Sequence, residues 1–428
     1  MATVTLVPAR ARGEPAAAAL YVVVDAGRPR PSSRHLLHEV ERVVIGRGDA
    51  GAHRVGGTLE LALPDRHMSS AHAELVRGLG GWTIRDLGSK NGVAVDGERV
   101  AERVLDDGDW VEVGETILRF RVVPLAPAMA ADAVAGADGS VVPAVEMATQ
   151  RLVDAATTEV PILLLGPSGT GKHDAARLVH ERSARPGRFV AVRCAGLDAA
   201  LAATTLFGDR DGPGAVVAAH RGTLLLADVA DLPITAQGAL LRVIQEREVV
   251  AVGATRPQPV DVRIVAATRH DLEREVDAGR FRVDLFAQLA GLRVAVPALR
   301  DRIEDLGTLV AAALARHAPG RALGLTADAA RALCRHRWPR NLHELDLAIA
   351  AAVAVCHDDR LGAELVEQIG EVVLSPADQA AARRAELVTL LREHRGNLAA
   401  VARSLSTSRA QVHRLLRRYE LAVDSYRR

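Results

Sequence analysis

A glycine-rich loop that ends in a lysine is the segment with the clearest chemistry. Gly166-Pro-Ser-Gly-Thr-Gly-Lys172 follows the apolar run Ile162–Leu165, and a helical pattern runs from its lysine to Ser183. Glycines let backbone N–H groups turn inward around an anion, and a helix N-terminus adds partial positive charge. Strand, loop and helix in this order predict a site for nucleotide phosphates, with an incidental glycine turn as the alternative. The candidate residues are Gly166, Pro167, Ser168, Gly169, Thr170, Gly171, Lys172 and His173.

Three loops in the first quarter of the chain carry a second set of phosphate-binding groups. They are Ile45-Gly-Arg47, Met68-Ser-Ser-Ala-His-Ala73 and Asp86-Leu-Gly-Ser-Lys-Asn-Gly92. In this order they resemble a forkhead-associated (FHA) domain, which implies binding of a phosphothreonine peptide, and His72 is interpreted as a brace for its loop. The alternative is a domain retained only for contacts. The resemblance and the charge-assisted donors on these loops give the candidates Arg47, Ser69, Ser70, Lys90 and Asn91.

The C-terminal segment combines a helical pattern with concentrated positive charge. Residues 379–428 hold 11 arginines against 4 acidic residues, a net charge of +7, although the whole chain carries only +1. A short turn joins two predicted helices, Leu398–Leu405 and Arg409–Tyr419, which is the helix-turn-helix pattern, with a basic docking domain as the alternative. In a major groove the second helix would reach base edges and phosphates. The segment resembles the Fis-type DNA-binding domain, which implies contacts from Ser408, Arg409, Gln411 and Arg414.

Length and composition fit an ordinary globular protein of several domains. The chain has 428 residues, of which 49% are hydrophobic and 25% are charged, which excludes disordered, collagen-like and coiled-coil classes. Its longest apolar run, Leu347 to Cys356, has ten residues, and the N-terminus has no signal-peptide pattern. We therefore expect a cytoplasmic protein without a membrane partner. Its three cysteines predict neither a disulfide framework nor a metal site.

The pattern of elements divides the chain into successive regions. Residues 18–123 read as short alternating strands, which predicts a β-sandwich, and the Pro-, Ala- and Gly-rich residues 124–139 predict a linker. Strands alternate with helices over 140–300, which predicts a parallel α/β sheet. Residues 301–370 are nearly all helical in pattern, and 379–428 read as three helices. The predicted fold class is thus β-sandwich, α/β domain with a helical lid, and an all-α helix-turn-helix.

The middle of the chain resembles the AAA+ domains of sigma-54-dependent, enhancer-binding transcription activators. The resemblance runs from about Val142 to Ile369 and implies binding of ATP or ADP with Mg²⁺, contact with sigma-54 RNA polymerase, and assembly into homo- or hetero-oligomers. It rests on ordered motifs beside the phosphate loop: Phe189-Val-Ala-Val-Arg-Cys, Leu206-Phe-Gly, Gly222-Thr-Leu-Leu-Leu, Leu240-Leu-Arg-Val-Ile-Gln-Glu-Arg-Glu, Val260-Asp-Val-Arg-Ile-Val-Ala-Ala-Thr, Pro297-Ala-Leu-Arg-Asp-Arg-Ile-Glu-Asp and Trp338-Pro-Arg-Asn-Leu-His-Glu-Leu.

One carboxylate of the family's catalytic pair is missing. The family ends a strand with Asp-Glu, in which Asp organises Mg²⁺ and Glu orients the attacking water; counting from Leu232-Pro233 places Ala227 and Asp228 there. If Asp228 is instead the metal ligand, Val229 occupies the position of the catalytic Glu. His173 stands where phosphate loops place Ser or Thr for the metal. Because loss of a charge that polarises water or metal removes orders of magnitude in rate, we expect binding of nucleotide to survive better than turnover.

Other family features are also changed. The GAFTGA loop that grips sigma-54 is replaced by the thirteen residues Asp209–Arg221. Of two arginines expected between subunits, Arg282 matches and is a candidate catalytic residue, but Gln288 replaces the second. Arg269 stands at a position where the family carries Asn, and His343 replaces the lid arginine. An amide or imidazole cannot supply the fixed fork of charge that phosphoryl transfer uses.

Together these patterns predict a DNA-binding transcription regulator of the sigma-54 activator family. We expect it to sense phosphothreonine on a Ser/Thr kinase or its substrate and to bind ATP or ADP, while its ATPase activity and its interaction with sigma-54 are absent or weak. Two alternatives remain open at this point. One is an active ATP-hydrolysing activator, and the other is a phosphopeptide-dependent scaffold in which DNA binding is secondary.

Overall fold

The computed structural model describes residues 16–124, 131–136, 139–369, 384, 387–405, 409–419 and 421–426. The chain falls into two units. One unit contains residues 144–301 and 338–344, and the other contains the described residues of 7–143, 302–337 and 345–428. Within the described ranges, no helix combines the length and the apolar content needed to cross a membrane.

Period-two alternation makes the N-terminal region a sandwich of two sheets. In the segment Thr58–Leu63, for example, Leu59, Leu61 and Leu63 point inward, and they share a core with Leu20 and Ile45. The sheet orders are β13-β2-β1-β12-β11-β8-β9 and β10-β7-β6-β3-β5-β4. The strands are β1 Ala16–Val24, β2 Ser33–Leu36, β3 Arg42–Arg47, β4 Gly51–Val55, β5 Thr58–Leu63, β6 Ala73–Gly78, β7 Gly81–Asp86, β8 Val93–Val95, β9 Glu98–Val100, β10 Glu102–Val104, β11 Trp110–Val113, β12 Thr116–Pro124 and β13 Ala133–Val134.

The predicted sandwich is confirmed, but its sheets are larger than the sequence pattern indicates. Strands β2, β4, β9, β10 and β13 were not predicted, because they are short or largely exposed and lack a clear alternation. Strand β13 lies inside residues 124–139, so the prediction of a linker is wrong for 131–136. Ala133 pairs with Arg34 in β2, and the Asp132 carboxylate accepts a hydrogen bond from the Leu36 backbone N–H at 2.8 Å.

The central region is the predicted parallel sheet flanked by helices, with strand order β15-β16-β19-β14-β20. Its first strand in the chain, β14, lies between β19 and β20, so the loop after it opens at the middle of the sheet's carboxyl edge, where ligands of such folds bind. Within the motif Val260-Asp-Val-Arg-Ile-Val-Ala-Ala-Thr, the strand β19 begins at Arg263. The strands are β14 Ile162–Leu165, β15 Phe189–Arg193, β16 Thr223–Ala227, β17 Glu248–Val249, β18 Gln258–Pro259, β19 Arg263–Thr268 and β20 Leu292–Ala295. The helices are α1 Pro143–Ala156, α2 Lys172–Arg182, α3 Ala199–Phe207, α4 Ala215–Ala218, α5 Ile234–Glu246, α6 Leu272–Asp277 and α7 Val283–Leu289.

The region after Asp301 is mainly helical, as predicted, with one short pair of parallel strands. The helices are α8 Leu306–His317, α9 Ala327–Arg335, α10 Asn341–Val355 and α11 Ala363–Ile369, and the strands are β21 Gly324–Leu325 and β22 Arg360–Leu361. The carboxylate of Glu304, only 3% exposed, accepts a hydrogen bond from the Arg121 guanidinium of β12. The neighbouring Asp305 accepts from the Val141 backbone N–H at 2.8 Å. Buried polar contacts thus fasten this region to the sandwich.

The described residues of the C-terminal region are mainly helical, as predicted. Residues 387–393 are helical and are followed by α12 Leu398–Ser404 and α13 Arg409–Arg418. Asn397 is the N-cap of α12, since its side chain accepts from the backbone N–H groups of Ala399 and Ala400. Leu391, Val401 and Val412 are buried in one core shared by the three helical segments. Ser406 and Ser408 lie outside the described residues, as do 370–383.

Candidate functional site

The glycine-rich loop is shaped by the sheet and by a neighbouring turn. Gly169 and Gly171 have φ values of 75° and 95°, which residues other than glycine rarely adopt. A Cβ at Gly169 would also lie 2.3 Å from the Arg340 carbonyl oxygen. Thr170 is buried and its hydroxyl donates to the Pro167 carbonyl at 3.1 Å. The loop ends at the N-terminus of α2, so its geometry suits an anion.

The Lys172 amine lies over the loop that precedes it. Its Nζ donates to the carbonyl oxygens of Gly166 at 2.7 Å and Pro167 at 2.6 Å. Burial lowers the pKa of Lys172 to about 8; the charge of Asp228 opposes this and that of Arg269 adds to it. The amine is therefore still mostly protonated at neutral pH and can pair with a terminal phosphate.

Nucleotide affinity is expected to fall above about pH 8. Phosphates bind the charged amine more tightly than the neutral one. Where Lys172 is neutral, nucleotide binding must therefore be coupled to protonation of its amine, which weakens the apparent affinity. One unit above its pKa about nine-tenths of the lysine is neutral, so Kd at about pH 9 should exceed that at about pH 7 roughly tenfold. A titration of a fluorescent ADP across this range measures it. Lys172→Arg, which stays charged, should give a flat profile, and a flat profile for the unmodified chain would contradict the prediction.

A single carboxylate follows β16 on the same edge of the sheet. Asp228 has φ 56°, and its Oδ2 lies 3.8 Å from Nε of Arg193. Val229, at the position of the family's catalytic Glu in one register, is fully buried. No cluster of three or more His, Cys, Asp or Glu that could hold a metal ion occurs in the part of the chain that the structure describes. Mg²⁺ typically takes one or two carboxylates together with nucleotide phosphates, and Asp228 fits that donor set.

His173 and Arg269, which stand where the family carries other residue types, are both exposed. The His173 ring packs edge-on against Phe189 of β15, with ring centroids 5.4 Å apart, and its Nε2 lies 3.5 Å from Nη2 of Arg177. It therefore belongs to a ring and cation cluster on the outer side of α2. Arg269 directly follows β19, is exposed, and contributes positive charge near Lys172.

Asn341 is a positioning residue that the sequence analysis did not single out. Its amide Nδ2 donates to the Ser168 carbonyl at 2.8 Å, and its Oδ1 accepts from the Leu299 backbone N–H at 2.8 Å. The Leu342 backbone N–H donates to the Gly169 carbonyl at 2.9 Å. Residues 338–344 thus close directly on the glycine-rich loop. The signal that could have found Asn341 is its place in the Trp338-Pro-Arg-Asn turn, where it is buried at φ 58°.

The exposed His343 lies in the first turn of α10, beside the glycine-rich loop. A Cβ built on Gly169 would lie 3.3 Å from the Cβ of His343. The residue that replaces the family's lid arginine is thus close to the phosphate loop, but it carries an imidazole in place of a guanidinium fork.

The candidate intersubunit arginine is on the surface. Arg282 precedes α7, and its guanidinium makes two hydrogen bonds to Asp284, at 3.0 and 2.6 Å. Gln288 is exposed on the same helix. The structure therefore does not bring Arg282 to the phosphate loop within this chain, and it leaves its guanidinium paired with its own neighbour.

The interval that replaces the GAFTGA loop is compact. Gly208 and Pro213 form a β-bridge, the Asp209 backbone N–H donates to the Gly212 carbonyl at 3.1 Å, and α4 follows at once. Val216 and Ala219 are buried in the domain core. Residues 209–221 therefore form a tight turn and one helical turn, with no projecting hairpin.

The candidate phosphopeptide loops meet at one end of the sandwich. The Arg47 backbone N–H donates to the Ser69 carbonyl at 2.9 Å, and the Lys90 backbone N–H donates to the Ser69 hydroxyl at 3.2 Å. The side chains of Arg47, at the end of β3, and of Ser70 and Asn91 are exposed beside them. His72 is buried: its Nδ1 accepts from the Ser69 backbone N–H at 3.1 Å, and its Nε2 lies 3.1 Å from the Gly92 carbonyl. The interpretation of His72 as a brace is confirmed.

A buried aspartate that the sequence analysis missed supports the same end. Asp65 accepts hydrogen bonds from the backbone N–H groups of His67 and Glu115, at 2.8 and 2.7 Å, and from the Thr116 hydroxyl at 3.0 Å. Glu115 in turn pairs with Arg360 of β22 at 2.9 Å. The end of the sandwich that carries the candidate loops is thus tied to the helical region.

Of the four candidate DNA contacts, two have described side chains. Arg409 is exposed at the start of α13, and Arg414 is half-buried in its middle. Gln411 lies between them on the helix, but its side chain is outside the described set, and Ser408 lies outside the described residues. Val412 and Leu416 face the shared core, so the arginines occupy the outer face of the helix.

The structure defines a protein with a β-sandwich, an α/β domain that carries a glycine-rich loop, and a helical region, and three domain families match it. The FHA domain matches residues 43–114, the Sigma-54 interaction domain matches 140–295, and the AAA+ ATPase lid domain matches 300–380.

Two curated bacterial regulatory proteins are similar in sequence to this chain. The response regulator protein FleR of Pseudomonas aeruginosa is 40% identical over 233 residues, which cover 50% of this chain and 49% of FleR. The acetoin catabolism regulatory protein of Cupriavidus necator is 35% identical over 317 residues, which cover 66% of this chain and 47% of that protein. The chain thus spans about half the length of these curated relatives.

Two solved structures of one protein are similar to this chain in fold. NtrX from Brucella abortus in complex with ADP has a TM-score of 0.54 at 30% identity, covering 65% of this chain and 68% of NtrX. Its complex with ATP gives a TM-score of 0.50 at 31% identity, covering 67% of this chain and 70% of NtrX. The chain therefore carries a Sigma-54 interaction domain, an FHA domain and an AAA+ ATPase lid domain.

Proposed function

We propose that this chain is a DNA-binding transcription regulator that senses phosphothreonine and binds ATP or ADP, while ATP hydrolysis and the interaction with sigma-54 are absent or weak. One observation carries the proposal. The phosphate loop and Lys172 are intact, whereas the adjacent carboxylate pair of the family is reduced to Asp228 beside a buried Val229. Such a pocket holds phosphates and a Mg²⁺ ion but lacks the group that orients the attacking water.

The nucleotide then acts as a bound element of the regulator. The complexes of NtrX with ADP and ATP support the choice of ligand, since that structure shares the fold of this pocket. Asn341 and the Trp338 turn would report the state of the loop to the lid helix α10, which begins at Asn341. A bound ligand stabilises whichever arrangement of loop and turn it fits best.

The interaction with sigma-54 is weak in this proposal because its usual surface is missing. Residues 209–221 form a turn closed by the Gly208–Pro213 bridge in place of a long loop. The sigma-54 RNA polymerase therefore remains a partner only by contacts elsewhere on the domain. A homo- or hetero-oligomer with a complete family member could supply the missing loop from another subunit.

The FHA domain would recruit a phosphothreonine protein, either a Ser/Thr kinase or its substrate. Arg47, Ser69, Lys90 and Asn91 surround one end of the sandwich, and His72 holds two of these loops together. Their donors suit a phosphate with two negative charges and the peptide backbone beside it. The exposed Ser70 adds a hydroxyl at the place where many family members have an arginine.

DNA is the partner of the C-terminal helices in this proposal. Helix-turn-helix domains place the second helix in the major groove, usually as dimers on palindromic sites. Arg409 near the start of α13 would reach base edges, and Arg414 would reach the backbone or bases further along. The net charge of +7 over residues 379–428 supplies the electrostatic attraction.

A turnover assay on the full chain tests the proposal. We expect binding of ATP with no phosphate release above background in the presence of Mg²⁺, because only Asp228 remains of the carboxylate pair. Turnover that Lys172→Ala abolishes would overturn the proposal in favour of an active ATP-hydrolysing activator. Loss of residues 379–428 without loss of regulation would favour a phosphopeptide-dependent scaffold instead.

A further inference from the structure

Three aspartates gather at the end of the sandwich opposite the phosphopeptide loops. Strands β6 and β8 both start at those loops and lead away from them, so the segments that follow, at 79–80 and at Asp96, lie at the far end. The Asp106 backbone N–H donates to Asp109 Oδ2 at 2.8 Å, and the Trp110 backbone N–H donates to Asp96 Oδ1 at 3.1 Å. We call Asp96, Asp106 and Asp109 the acidic end.

Two arginines of α13 are seated on the acidic end. Arg414 Nε donates to Asp106 Oδ1 at 3.2 Å, and its Nη1 donates to the Gly80 carbonyl at 2.8 Å. Arg418 lies 3.5 Å from Asp96, 3.6 Å from Asp109 and 3.8 Å from Asp106. One helix of the C-terminal domain thus contacts all three carboxylates through two side chains.

These ion pairs are partly shielded from water. The side chain of Asp109 is fully buried, and those of Asp96 and Asp106 are 13% and 15% exposed. Burial, followed by the charge of Asp96, raises the pKa of Asp109 to about 6, and Arg418 acts in the opposite direction. Ion pairs in such surroundings are stronger and less screened by salt than fully exposed ones.

We propose that the acidic end is a docking surface for the helix α13 of this chain, and that docking withholds this helix from DNA. The inference rests on the DNA-binding role in the proposed function. A DNA phosphate and the Asp106 carboxylate compete for the same guanidinium, because Arg414 cannot make both sets of hydrogen bonds at once. DNA binding then requires release of α13 from the acidic end, and its apparent affinity is reduced by the fraction of chains that stay docked.

The adjacent Asp107 provides a matched control for Asp106. Its carboxylate accepts from the Arg121 Nε at 3.0 Å and from the Val122 backbone N–H at 2.8 Å, both within the sandwich. No contact of Asp107 with α13 occurs among the described residues. Asp106→Asn and Asp107→Asn therefore change the net charge equally and at neighbouring positions, but only the first removes ion pairs with the helix.

The test measures binding of the full chain to a fluorescein-labelled random-sequence duplex at fixed ionic strength. Asp106→Asn should bind about fivefold to tenfold more tightly than Asp107→Asn, and Asp106→Lys more tightly still, because two modest ion pairs are removed or made repulsive. The dependence of log Kd on log salt should also steepen by about 1 to 2 units, since two more guanidinium groups become available to phosphates. Amide hydrogen exchange of residues 409–418 should accelerate in the Asp106 variants alone.

Equal affinity and equal hydrogen exchange for Asp106→Asn and Asp107→Asn would overturn the inference while leaving DNA binding intact. Failure of every variant to bind the duplex, including Asp106→Lys, would overturn the DNA-binding part of the proposed function and the inhibition with it. Hydrogen exchange separates these cases, because faster exchange in Asp106→Asn supports docking of the helix whether or not DNA binds. Retention of the wild-type thermal midpoint shows that each variant is folded.

Discussion

Exchange of the chain's two lysines for alanine should separate its two phosphate sites. Lys172→Ala is expected to weaken ATP and ADP binding about a hundredfold, because a charged hydrogen bond to a phosphate contributes about 3 kcal/mol. It should leave phosphothreonine peptide binding unchanged. Lys90→Ala should weaken phosphothreonine peptide binding about tenfold, since Arg47 and Ser69 remain, and leave nucleotide binding unchanged. Calorimetric titration of both ligands into both variants measures all four outcomes.

The pair works as its own control because Lys90 and Lys172 are the only lysines of the sequence. An acyl-phosphate derivative of ATP that acylates amines should therefore label Lys172 and leave Lys90 unmodified. Loss of binding of both nucleotide and phosphothreonine peptide in one variant would mean that this variant is misfolded. Undiminished nucleotide binding by Lys172→Ala would show that the glycine-rich loop is not the nucleotide site.

The glycine-rich loop could be predicted because its signal is local. The glycines lie a few residues apart, between a strand and a helix whose patterns are also local, and the structure requires them at those places. At Gly169 the φ of 75° and the nearby Arg340 carbonyl exclude a side chain. The partner that holds the loop, Asn341, is 173 residues from Ser168 in the sequence, and no periodicity connects the two.

The polar strands at the edges of the sandwich could not be predicted from the hydrophobic pattern. In β4, four of the five residues are exposed, so their alternation leaves no trace in the sequence. Strand β13 has two residues in a stretch rich in Pro, Ala and Gly, which is typical of a linker. What fixes it is the surrounding hydrogen bonding, such as that between Asp132 and Leu36, and not its own composition.

The C-terminal helices show the same division between local and distant information. Their core and the Asn397 cap follow from spacing within the segment. The contact between Arg414 and Asp106 joins residues 308 positions apart, and either residue alone reads as an ordinary solvated charge. Sequence reasoning could identify a basic helix, but it could not indicate that an acidic surface of the same chain faces it.

Removal of the Glu304 carboxylate should destabilise the unit formed by the sandwich and the lid helices. Glu304→Ala is expected to lower its free energy of unfolding by about 3 kcal/mol, because it leaves Arg121 and Arg119 without their buried counter-charge. Asp107 still pairs with Arg121, which keeps the loss near the lower end of the range for buried pairs. Urea unfolding of the full chain, followed by the fluorescence of Trp82 and Trp110 in the sandwich, measures the change.

The exposed pair of Arg85 and Glu102 is the matched comparison, since its side chains are 47% and 55% exposed. Glu102→Ala should change the free energy of unfolding by less than about 1 kcal/mol, as exposed pairs do. Glu304→Gln keeps an acceptor oxygen for Arg121 but not the charge, so it should fall between the two alanine variants. Equal losses for Glu304→Ala and Glu102→Ala would mean that the Glu304 contact does not fasten the sandwich to the lid. The contact between β12 and Glu304 would then not contribute to holding the sandwich and the lid helices together.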